Sequence, residues 1–374
     1  MTSSPTARAE RFTRVREAMA AHGVDVLCCS LGADLPWLSG YEAMPLERPT
    51  VLVVPVDGDA TLVVPALEAP RVVEHPELFA LRPWLDGEDA VAIVAELVGS
   101  AGRVAISDRS WASLVLDLQR ALPGATFTTT SSVIGELRAV KDASEIAALA
   151  AAGAAADLVA MALLSGEIGL IGRREADVSA ELGRRLVDAG HAKVNFAIVG
   201  SGPNAASPHH EPGDRVIGAG ETVVCDFGGT LHLDGEAGYC SDITRTVVTG
   251  PPSTEIVEFY EVLQAAQAAA VAAVHPGVAC EEIDRVGRRI IAEAGFGEYF
   301  VHRIGHGIGI EEHEDPYMVE GNATTIVAGH AFSIEPGIYF PGRFGARIED
   351  IVVATDDGVQ ACNVADHSLT VVEA

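Results

Sequence analysis

Hydrophobic and polar residues follow two different periods in the first third of the chain. Residues 11–23 (RFTRVREAMAAHG) space their apolar positions along one helix face, and two apolar runs follow, 24–29 (VDVLCC) and 50–65 (TVLVVPVDGDATLVVP). The longer run predicts a β-hairpin, because Asp57, Gly58 and Asp59 suit a tight turn between two strands. Further helices are predicted at 88–97 and 111–122, and further strands at 104–107 and 125–130. This alternation predicts an α/β domain.

The pattern changes near residue 136, where we place a domain boundary. Asp142 and Glu145 have the spacing of a capping box, which predicts the start of a long alanine-rich helix that ends near Ser165. Beyond it, helices are predicted at 175–189, 254–274 and 281–294, and strands at 194–200, 221–229, 238–250, 330–340 and 346–355. Helix pairs followed by strand pairs thus occur twice, which suggests an internally duplicated α+β domain. The predicted domains are residues 1–135 and 136–374.

Composition and charge narrow the class of protein. A chain of 374 residues that is 48% hydrophobic can form two cores. Its net charge of -28 repels nucleic acid phosphates and anionic membranes, so we expect neither as a partner. The opening residues MTSSPTARAERF contain no apolar leader, and no run of eighteen apolar residues follows, which predicts a cytoplasmic protein. Six scattered cysteines without CxxC spacing argue against a disulfide framework and a thiolate zinc site.

Four acidic residues interrupt apolar strand patterns in the second domain. They are Asp226 in VVCDFGG, Asp242 in GYCSDITRTVV, Glu335 in AFSIEPGIY and Glu349 in ARIEDIVV. A carboxylate buried alone needs a compensating charge or a proton. Any single one of these acids could lie at a strand end and face solvent. Four of them in separate strands predict one shared site.

Such a site has the charge balance of a two-metal centre. Four carboxylates with a neutral histidine carry a charge of about -4, which two divalent cations neutralise. Oxygen-rich ligation with one imidazole favours Mn²⁺, with Co²⁺ or Zn²⁺ as alternatives. Two metals of this kind can activate water and polarise a carbonyl group, so hydrolysis of an amide bond is the predicted reaction class.

Residues 302–316 (HRIGHGIGIEEHEDP) concentrate histidines, glycines and acids in one segment. A helix is not expected, because each interior glycine costs about 1 kcal/mol relative to alanine. The acids that follow the glycines argue against a phosphate-binding loop, and a serine hydrolase is disfavoured because the chain has no G-x-S-x-G motif. We therefore expect an irregular backbone whose glycines let the histidines reach a ligand.

A series of short motifs runs through the second domain. In chain order they are SGPNAASPHH, CDFGG, GYCSDITRT, HRIGHGIG, HEDP, SIEPGIY and RIED. In this order they resemble the pita-bread metallopeptidases, in the Xaa-Pro peptidase branch of prolidases and aminopeptidases P. The resemblance begins near Lys141, and GVDVLCC and WLSGY in the first domain resemble the creatinase/prolidase type. It implies an α+β pita-bread domain preceded by a smaller α/β creatinase-type domain.

The resemblance also implies the metal ligands. The matching residues are Asp226, Asp242, His306, Glu335 and Glu349. By this resemblance Asp242 and Glu349 bridge two divalent ions, Asp226 binds one ion, and His306 with Glu335 holds the other. Glu335 is the implied acceptor of the proton from the attacking water.

Four further residues match positions that contact the substrate. His209 and His313 match histidines at the scissile peptide, where they stabilise the oxyanion or the leaving nitrogen. His302 and Arg347 match positions that line the substrate pocket, although His302 has a purely structural role as its alternative. Strand alternation along ARIEDIVV puts Asp350 on the face opposite Arg347, so Asp350 should point away from the site.

One spacing departs from the family pattern. Asp226 and Asp242 lie sixteen residues apart, about five more than is usual, and an extended turn with residues 233–236 at its tip accommodates them at low cost. His232 and Asp234 are expected to be exposed there, with a part in shaping the pocket as the alternative. The departure leaves the predicted metal site intact and puts substrate preference in question.

The resemblance implies metal-dependent hydrolysis of Xaa-Pro bonds by a homodimer. We favour an Xaa-Pro dipeptidase (prolidase), with an aminopeptidase P on longer peptides as the alternative, since the choice depends on a wall beyond the proline pocket. A metal-free creatinase-like amidinohydrolase or a non-catalytic peptide-binding module fits less well, because all five ligands are retained. Methionine aminopeptidases generally lack such an N-terminal domain. The expected substrate is a proline-containing dipeptide or oligopeptide.

Overall fold

The computed structural model describes residues 5–233 and 237–373, which form two compact units. The first unit contains the described residues up to Arg138 together with Leu233 and Ala237, and the second contains the remainder. The predicted boundary at residue 135 falls inside a helix, Ser131–Ala139, near whose end the two units divide.

The first unit contains one sheet and several helices. Its helices are α1 Pro5–His22, α2 Asp34–Ser39, α3 Ala90–Val98, α4 Ala112–Ala121 and α5 Ser131–Ala139, and its strands are β1 Val26–Cys29, β2 Val51–Pro55, β3 Ala60–Pro65, β4 Phe79–Trp84, β5 Arg103–Ile106 and β6 Thr126–Thr129. The strand order is β4-β3-β2-β1-β5-β6. Strands β2 and β3 form the predicted antiparallel hairpin, with Val51 opposite Val63. The pattern missed β4 because Arg82 and Pro83 interrupt it, and proline is tolerated there since β4 lies at the sheet edge.

The described residues of the second unit form four α-helices and sheets whose strand pairs are antiparallel, except for one parallel pair. Its helices are α6 Ala143–Leu164, α7 Glu175–Asp188, α8 Thr254–Ala272 and α9 Cys280–Glu293. Its strands are β7 Lys193–Ser201, β8 Thr222–His232, β9 Gly238–Cys240, β10 Ile243–Val248, β11 Gly305–Gly307, β12 Glu314–Met318, β13 Ala331–Ile334, β14 Gly337–Phe340, β15 Phe344–Arg347, β16 Asp350–Thr355, β17 Gly358–Ala361 and β18 Thr370–Val371. The parallel pair is β10 and β18.

These strands form two main sheets, each packed against a helix pair. The first sheet has the order β18-β10-β8-β7, with β9 paired to β8, and shares a hydrophobic core with α6 and α7. The second has the order β12-β11-β13-β16-β17 and shares a core with α8 and α9. Strands β14 and β15 form a separate hairpin, and a single antiparallel bridge joins Thr244 to Glu349. The arrangement of a helix pair with a sheet therefore occurs twice, as the pattern suggested.

Helix α6 begins at the predicted capping box. The Asp142 carboxylate accepts from the backbone nitrogens of Ser144 and Glu145, and Glu145 Oε2 accepts from the Asp142 nitrogen at 2.8 Å. By length and composition α6 could cross a membrane, but 61% of its most apolar window is buried inside the protein. It also buries Glu145 and Asp157, both of which are hydrogen bonded. These features are those of the core helix of a globular domain.

Three strands that the pattern predicted as continuous are broken at an acidic residue. The segment 238–250 divides at Ser241 and Asp242, 330–340 divides at Glu335 and Pro336, and 346–355 divides at Ile348 and Glu349. The prediction of single strands was wrong there, because each acid leaves its ladder and turns toward a common point. Only Asp226 lies inside a regular strand, β8.

Candidate metal centre

The five predicted ligands come from separate elements of the second unit and line one cleft. Asp226 lies in β8, Asp242 precedes β10, His306 is the middle residue of β11, Glu335 follows β13, and Glu349 lies between β15 and β16. The cleft has a volume of about 830 Å³. The strand breaks therefore bring together residues that are up to 123 positions apart in the chain, at 226 and 349.

Three of these residues form a compact ligand set. Asp242, His306 and Glu349 are buried, and each offers one ligand atom within 4.8 Å of the others. His306 Nε2 lies 3.3 Å from Glu335 Oε1 and 3.7 Å from Asp242 Oδ2. The opposite ring nitrogen, Nδ1, lies 3.1 Å from the Gly307 carbonyl oxygen, to which it donates. The Nε2 lone pair therefore faces the acids, as a metal ligand requires.

Burial controls the ionisation of the site. Burial raises the pKa of Asp242 and of Glu349 well above the ordinary carboxyl range, and the neighbouring carboxylates raise both further. Burial also raises the pKa of Glu335 to about 7. It lowers the pKa of His306 to about 3, with the nearby His313 adding to the effect, so His306 is neutral at physiological pH. Nearby positive charge would relieve the carboxylate repulsion.

Carboxylate oxygens without a hydrogen-bond partner indicate whether the cleft suits divalent metal ions. Asp226 Oδ1, Asp242 Oδ1 and Glu349 Oε1 are buried, and none has a hydrogen-bond partner within the described part of the chain. An unpaired buried carboxylate oxygen is costly, so three of them in one cleft call for cations. Oxygen donors with one imidazole nitrogen suit divalent ions of the Mn²⁺, Co²⁺ and Zn²⁺ type. The residues of the cleft therefore fit the expected pair of divalent ions.

Hydroxyl groups that sequence reasoning missed orient the acids. Thr244 Oγ1 donates to Glu349 Oε2 at 2.7 Å, and the backbones of the same two residues form the isolated β-bridge. Ser333 Oγ donates to Glu335 Oε1 at 3.2 Å and accepts from the backbone nitrogen of His306 at 3.0 Å. Their position two residues from a predicted acid, in SDIT and SIE, was the available signal.

Arg347 lies in the cleft, as expected, and its guanidinium group donates hydrogen bonds to three side chains. Its Nη2 donates to Asp226 Oδ2 at 2.6 Å, its Nε donates to Thr244 Oγ1 at 3.1 Å, and its Nη1 donates to the Tyr339 hydroxyl at 2.8 Å. Tyr339 was not predicted, although it lies in SIEPGIY. It extends the network to His302, whose Nε2 lies 3.0 Å from the Tyr339 hydroxyl.

Three histidines also line the cleft. Burial, with Arg347 adding to it, lowers the pKa of His302 to about 3, so this ring is neutral. His209 and His313 are exposed at the cleft surface. The His313 ring packs against His306, with 3.9 Å between ring centroids. The structure thus places neutral or exposed imidazoles around the acids.

The glycines of the 302–316 segment serve close packing. Gly305 and Gly307 lie in β11, a strand of three residues whose pairing with β12 shifts in register between these two glycines, so the expected irregularity occurs within a short strand. A Cβ at Gly305 would overlap the Ser333 carbonyl oxygen, and one at Gly307 would overlap the Asp315 carbonyl group. Glycine is therefore needed for space, which lets His306 sit between two closely spaced strands.

The neighbours of the site agree with two further expectations. Asp350 points away, because its carboxylate accepts from Arg245 Nη2 at 2.7 Å and lies 2.5 Å from His367 Nε2. In the β8–β9 hairpin, His232 is exposed and pairs with Gly238. Asp234, at the expected tip, lies outside the described residues together with 235 and 236.

Comparisons with known proteins cover the whole chain. Residues 138–356 match the model of metallopeptidase family M24, and residues 11–140 match the creatinase/prolidase N-terminal domain. A probable dipeptidase PepE of Mycobacterium tuberculosis is 44% identical over 368 residues, which are 97% of this chain and 96% of the relative. An Xaa-Pro dipeptidase of Lactobacillus helveticus is 38% identical over 367 residues, 93% of this chain and 95% of the relative. The crystal structure of dipeptidase PepE from Mycobacterium ulcerans superposes with a TM-score of 0.91 at 43% identity, over 100% of both chains.

Proposed function

The chain belongs to metallopeptidase family M24, as its motifs predicted, and we propose that it is a metal-dependent Xaa-Pro dipeptidase of the prolidase type. The same matches confirm the predicted fold class, a creatinase-type domain followed by the family's catalytic domain. The observation that carries the proposal is the convergence of five predicted ligands in one cleft, with three buried carboxylate oxygens unpaired among the described residues. The L. helveticus relative has this activity in its name.

We propose Asp226, Asp242, His306, Glu335 and Glu349 as the ligands of two divalent ions, with Mn²⁺ favoured over Co²⁺ and Zn²⁺ because most donors are carboxylate oxygens. When bound, the two ions supply an activated water and polarise the scissile carbonyl. Reconstitution of chelator-treated protein with each ion separately tests the metal. The highest activity with Mn²⁺ is expected, and recovery only with Zn²⁺ would contradict this choice.

The side chains around the ligands have separate proposed roles. Glu335, which follows β13 and lines the cleft, accepts the proton of the attacking water at its carboxylate. His209 and His313 face the open cleft and donate hydrogen bonds to the scissile peptide. His302 and Arg347 line the pocket and hold Tyr339 between them, so they shape its wall.

Substrate length decides between the two peptidase activities. We expect Mn²⁺-loaded protein to release free proline from an Xaa-Pro dipeptide, and a chelated sample to release none. An Xaa-Pro-Yaa tripeptide serves in parallel, and its cleavage would favour the aminopeptidase P alternative. If neither peptide is cleaved by protein that retains two metals, the proposed Xaa-Pro specificity is wrong.

We also propose a cytoplasmic homodimer. The six cysteines are free and buried, which suits a reducing compartment where disulfides are rare. The dimer is an expectation from the family resemblance. Sedimentation equilibrium tests it, because a dimer has twice the 39.0 kDa chain mass and a monomer would contradict the proposal.

A further inference from the structure

The two exposed histidines of the cleft share a feature of chain sequence. His209 is followed directly by His210, and His313 is followed directly by Glu314. His209 and His313 line the cleft. The residue that follows each of them contacts a buried side chain: His210 contacts Glu175, and Glu314 contacts Lys141. Glu314 is thus an acidic residue of the 302–316 segment whose role the metal centre does not explain.

Glu175 holds the segment that carries His209. It is the first residue of α7 and is 0% exposed. Its Oε1 accepts from the Ser201 nitrogen at 2.8 Å and from the Ser201 hydroxyl at 2.7 Å, and its Oε2 accepts from Asn204 Nδ2 at 3.0 Å. His210 Nε2 donates to the same Oε2 at 2.8 Å. One carboxylate thus binds both ends of the 201–210 loop.

A contact from the other side completes the support of His209. Arg347 Nη1 donates to the Pro208 carbonyl oxygen at 3.4 Å. The residue before His209 and the residue after it are therefore both held, by Arg347 and Glu175 respectively. The His209 ring itself has no hydrogen-bond partner among residues 5–233 and 237–373. Its position depends on the backbone of its neighbours.

Lys141 plays the matching part for His313. Its Nζ forms an ion pair with Glu314 Oε1, and the two side chains are 1% and 8% exposed. The Lys141 backbone is fixed as well, because its nitrogen donates to the Gly329 carbonyl oxygen at 2.8 Å. Glu314 begins β12 and packs where Gly309 leaves room, since a Cβ at Gly309 would overlap Glu314 Oε1. A buried ion pair of this kind is costly to break, because removal of one partner leaves the other charge uncompensated.

We propose that Glu175 and Lys141 are positioning residues, which hold His210 and Glu314 so that the preceding His209 and His313 face the substrate. This inference rests on the proposed function, in which those two histidines contact the scissile peptide. Neither Glu175 nor Lys141 lines the cleft, so each acts through another residue. Displacement of a donor by about 1 Å is enough to lower a rate about 100-fold.

Double-mutant cycles test the proposal. Glu175→Gln and Lys141→Met are each made in the wild-type background, Glu175→Gln also with His209→Ala, and Lys141→Met also with His313→Ala. Each single variant should keep two metals and lower kcat by about 10- to 100-fold. In the background without the relevant histidine, the same change should alter kcat by no more than about a factor of two. Asp157→Asn, which removes a buried carboxylate that binds the Val364 and Ala365 nitrogens, is the matched control and should leave kcat unchanged.

A spectroscopic readout keeps this inference separate from the proposed activity. Histidine-ring NMR signals of the Mg²⁺-loaded or metal-free protein are assigned through His209→Ala and His313→Ala. Glu175→Gln should shift the His209 signal and leave that of His313, and Lys141→Met should do the reverse. If Lys141→Met does not fold, the double variant Lys141→Met with Glu314→Gln replaces it, because this variant removes both charges of the ion pair.

The outcomes are distinct. Equal losses of kcat with and without the histidine, or ring signals that do not move in folded variants, would overturn the positioning role. A wild-type protein that cleaves no Xaa-Pro peptide would overturn the proposed function instead, and the ring signals would still decide the positioning role. Selective shifts together with non-additive losses would support it.

Discussion

Arg347 Nη2 donates to Asp226 Oδ2 at 2.6 Å, and the two side chains are 3% and 10% exposed. The other oxygen of the same carboxylate, Oδ1, is buried and has no hydrogen-bond partner among the described residues. One carboxylate is thus neutralised on one side by a guanidinium group and left free on the other, toward the cleft. This division connects the pocket wall with the candidate metal centre.

Arg347→Gln should destabilise the metal-free protein more than the metal-loaded protein. Without the guanidinium group, Asp226 becomes an unpaired buried charge, which costs about 3–5 kcal/mol in the free energy of unfolding. Bound cations would neutralise Asp226 from the Oδ1 side and reduce this loss. Urea unfolding with chelator and with Mn²⁺ measures both values. An identical loss in the two conditions would show that Asp226 is not a metal ligand.

Glu349→Gln should abolish retention of two metals and all peptidase activity, because Glu349 presents an unpaired oxygen at the ligand set. The adjacent Asp350→Asn is the matched control. Asp350 is bound to Arg245 and His367 on the opposite side, so its variant should retain both metals and lose only stability. Metal analysis after gel filtration gives the result. Full metal retention by Glu349→Gln would exclude Glu349 as a ligand.

His313→Ala should retain both metals and lower kcat by about 10²- to 10⁴-fold, the usual contribution of a positioned proton donor. His313 lines the cleft without belonging to the compact ligand set. His232→Ala is the control, since His232 is exposed on β8 and does not line the cleft. Steady-state kinetics on an Xaa-Pro dipeptide compares the two variants. An unchanged kcat in His313→Ala would remove this residue from the reaction.

The stability that Glu175 contributes should depend on pH. Burial raises the pKa of Glu175, but the hydrogen bonds from Ser201, His210 and Asn204 together lower this pKa by more than burial raises it. The net result is a pKa below the ordinary value of 4.5. A carboxyl group with a lowered folded pKa stabilises the protein above the unfolded pKa, and this contribution is lost as pH falls through the folded pKa. Glutamine does not titrate, so the wild type and Glu175→Gln should differ most above pH 4.5.

Urea unfolding at pH 5 and at pH 3.5 tests this dependence, in a window where carboxyl groups titrate and ordinary imidazoles do not. Glu175→Gln should lower the free energy of unfolding by about 1.5–3 kcal/mol at pH 5, the range for hydrogen bonds to a charged group. The difference from wild type should be smaller at pH 3.5. A constant difference would mean that the hydrogen bonds do not depend on the charge of Glu175.

Particular residues show how far the sequence could lead. The capping box of Asp142 and Glu145 and the hairpin at 57–59 were predictable, because both depend on neighbours within a few positions. The breaks at Asp242, Glu335 and Glu349 were not, since a strand pattern does not reveal where a ladder ends. Tyr339 was missed for the same reason: its role depends on Arg347 and His302, which come from other elements.

The sequence by itself determined which residue types form the site, because a carboxylate in an apolar strand has no local partner and needs an explanation. It also determined the family, through motifs whose order and spacing are specific. The tertiary structure decided which oxygens are left unpaired, which histidines are buried or exposed, and which side chains hold them. Those properties arise from contacts between strands far apart in the chain, and no local pattern of hydrophobic and polar residues encodes such distances.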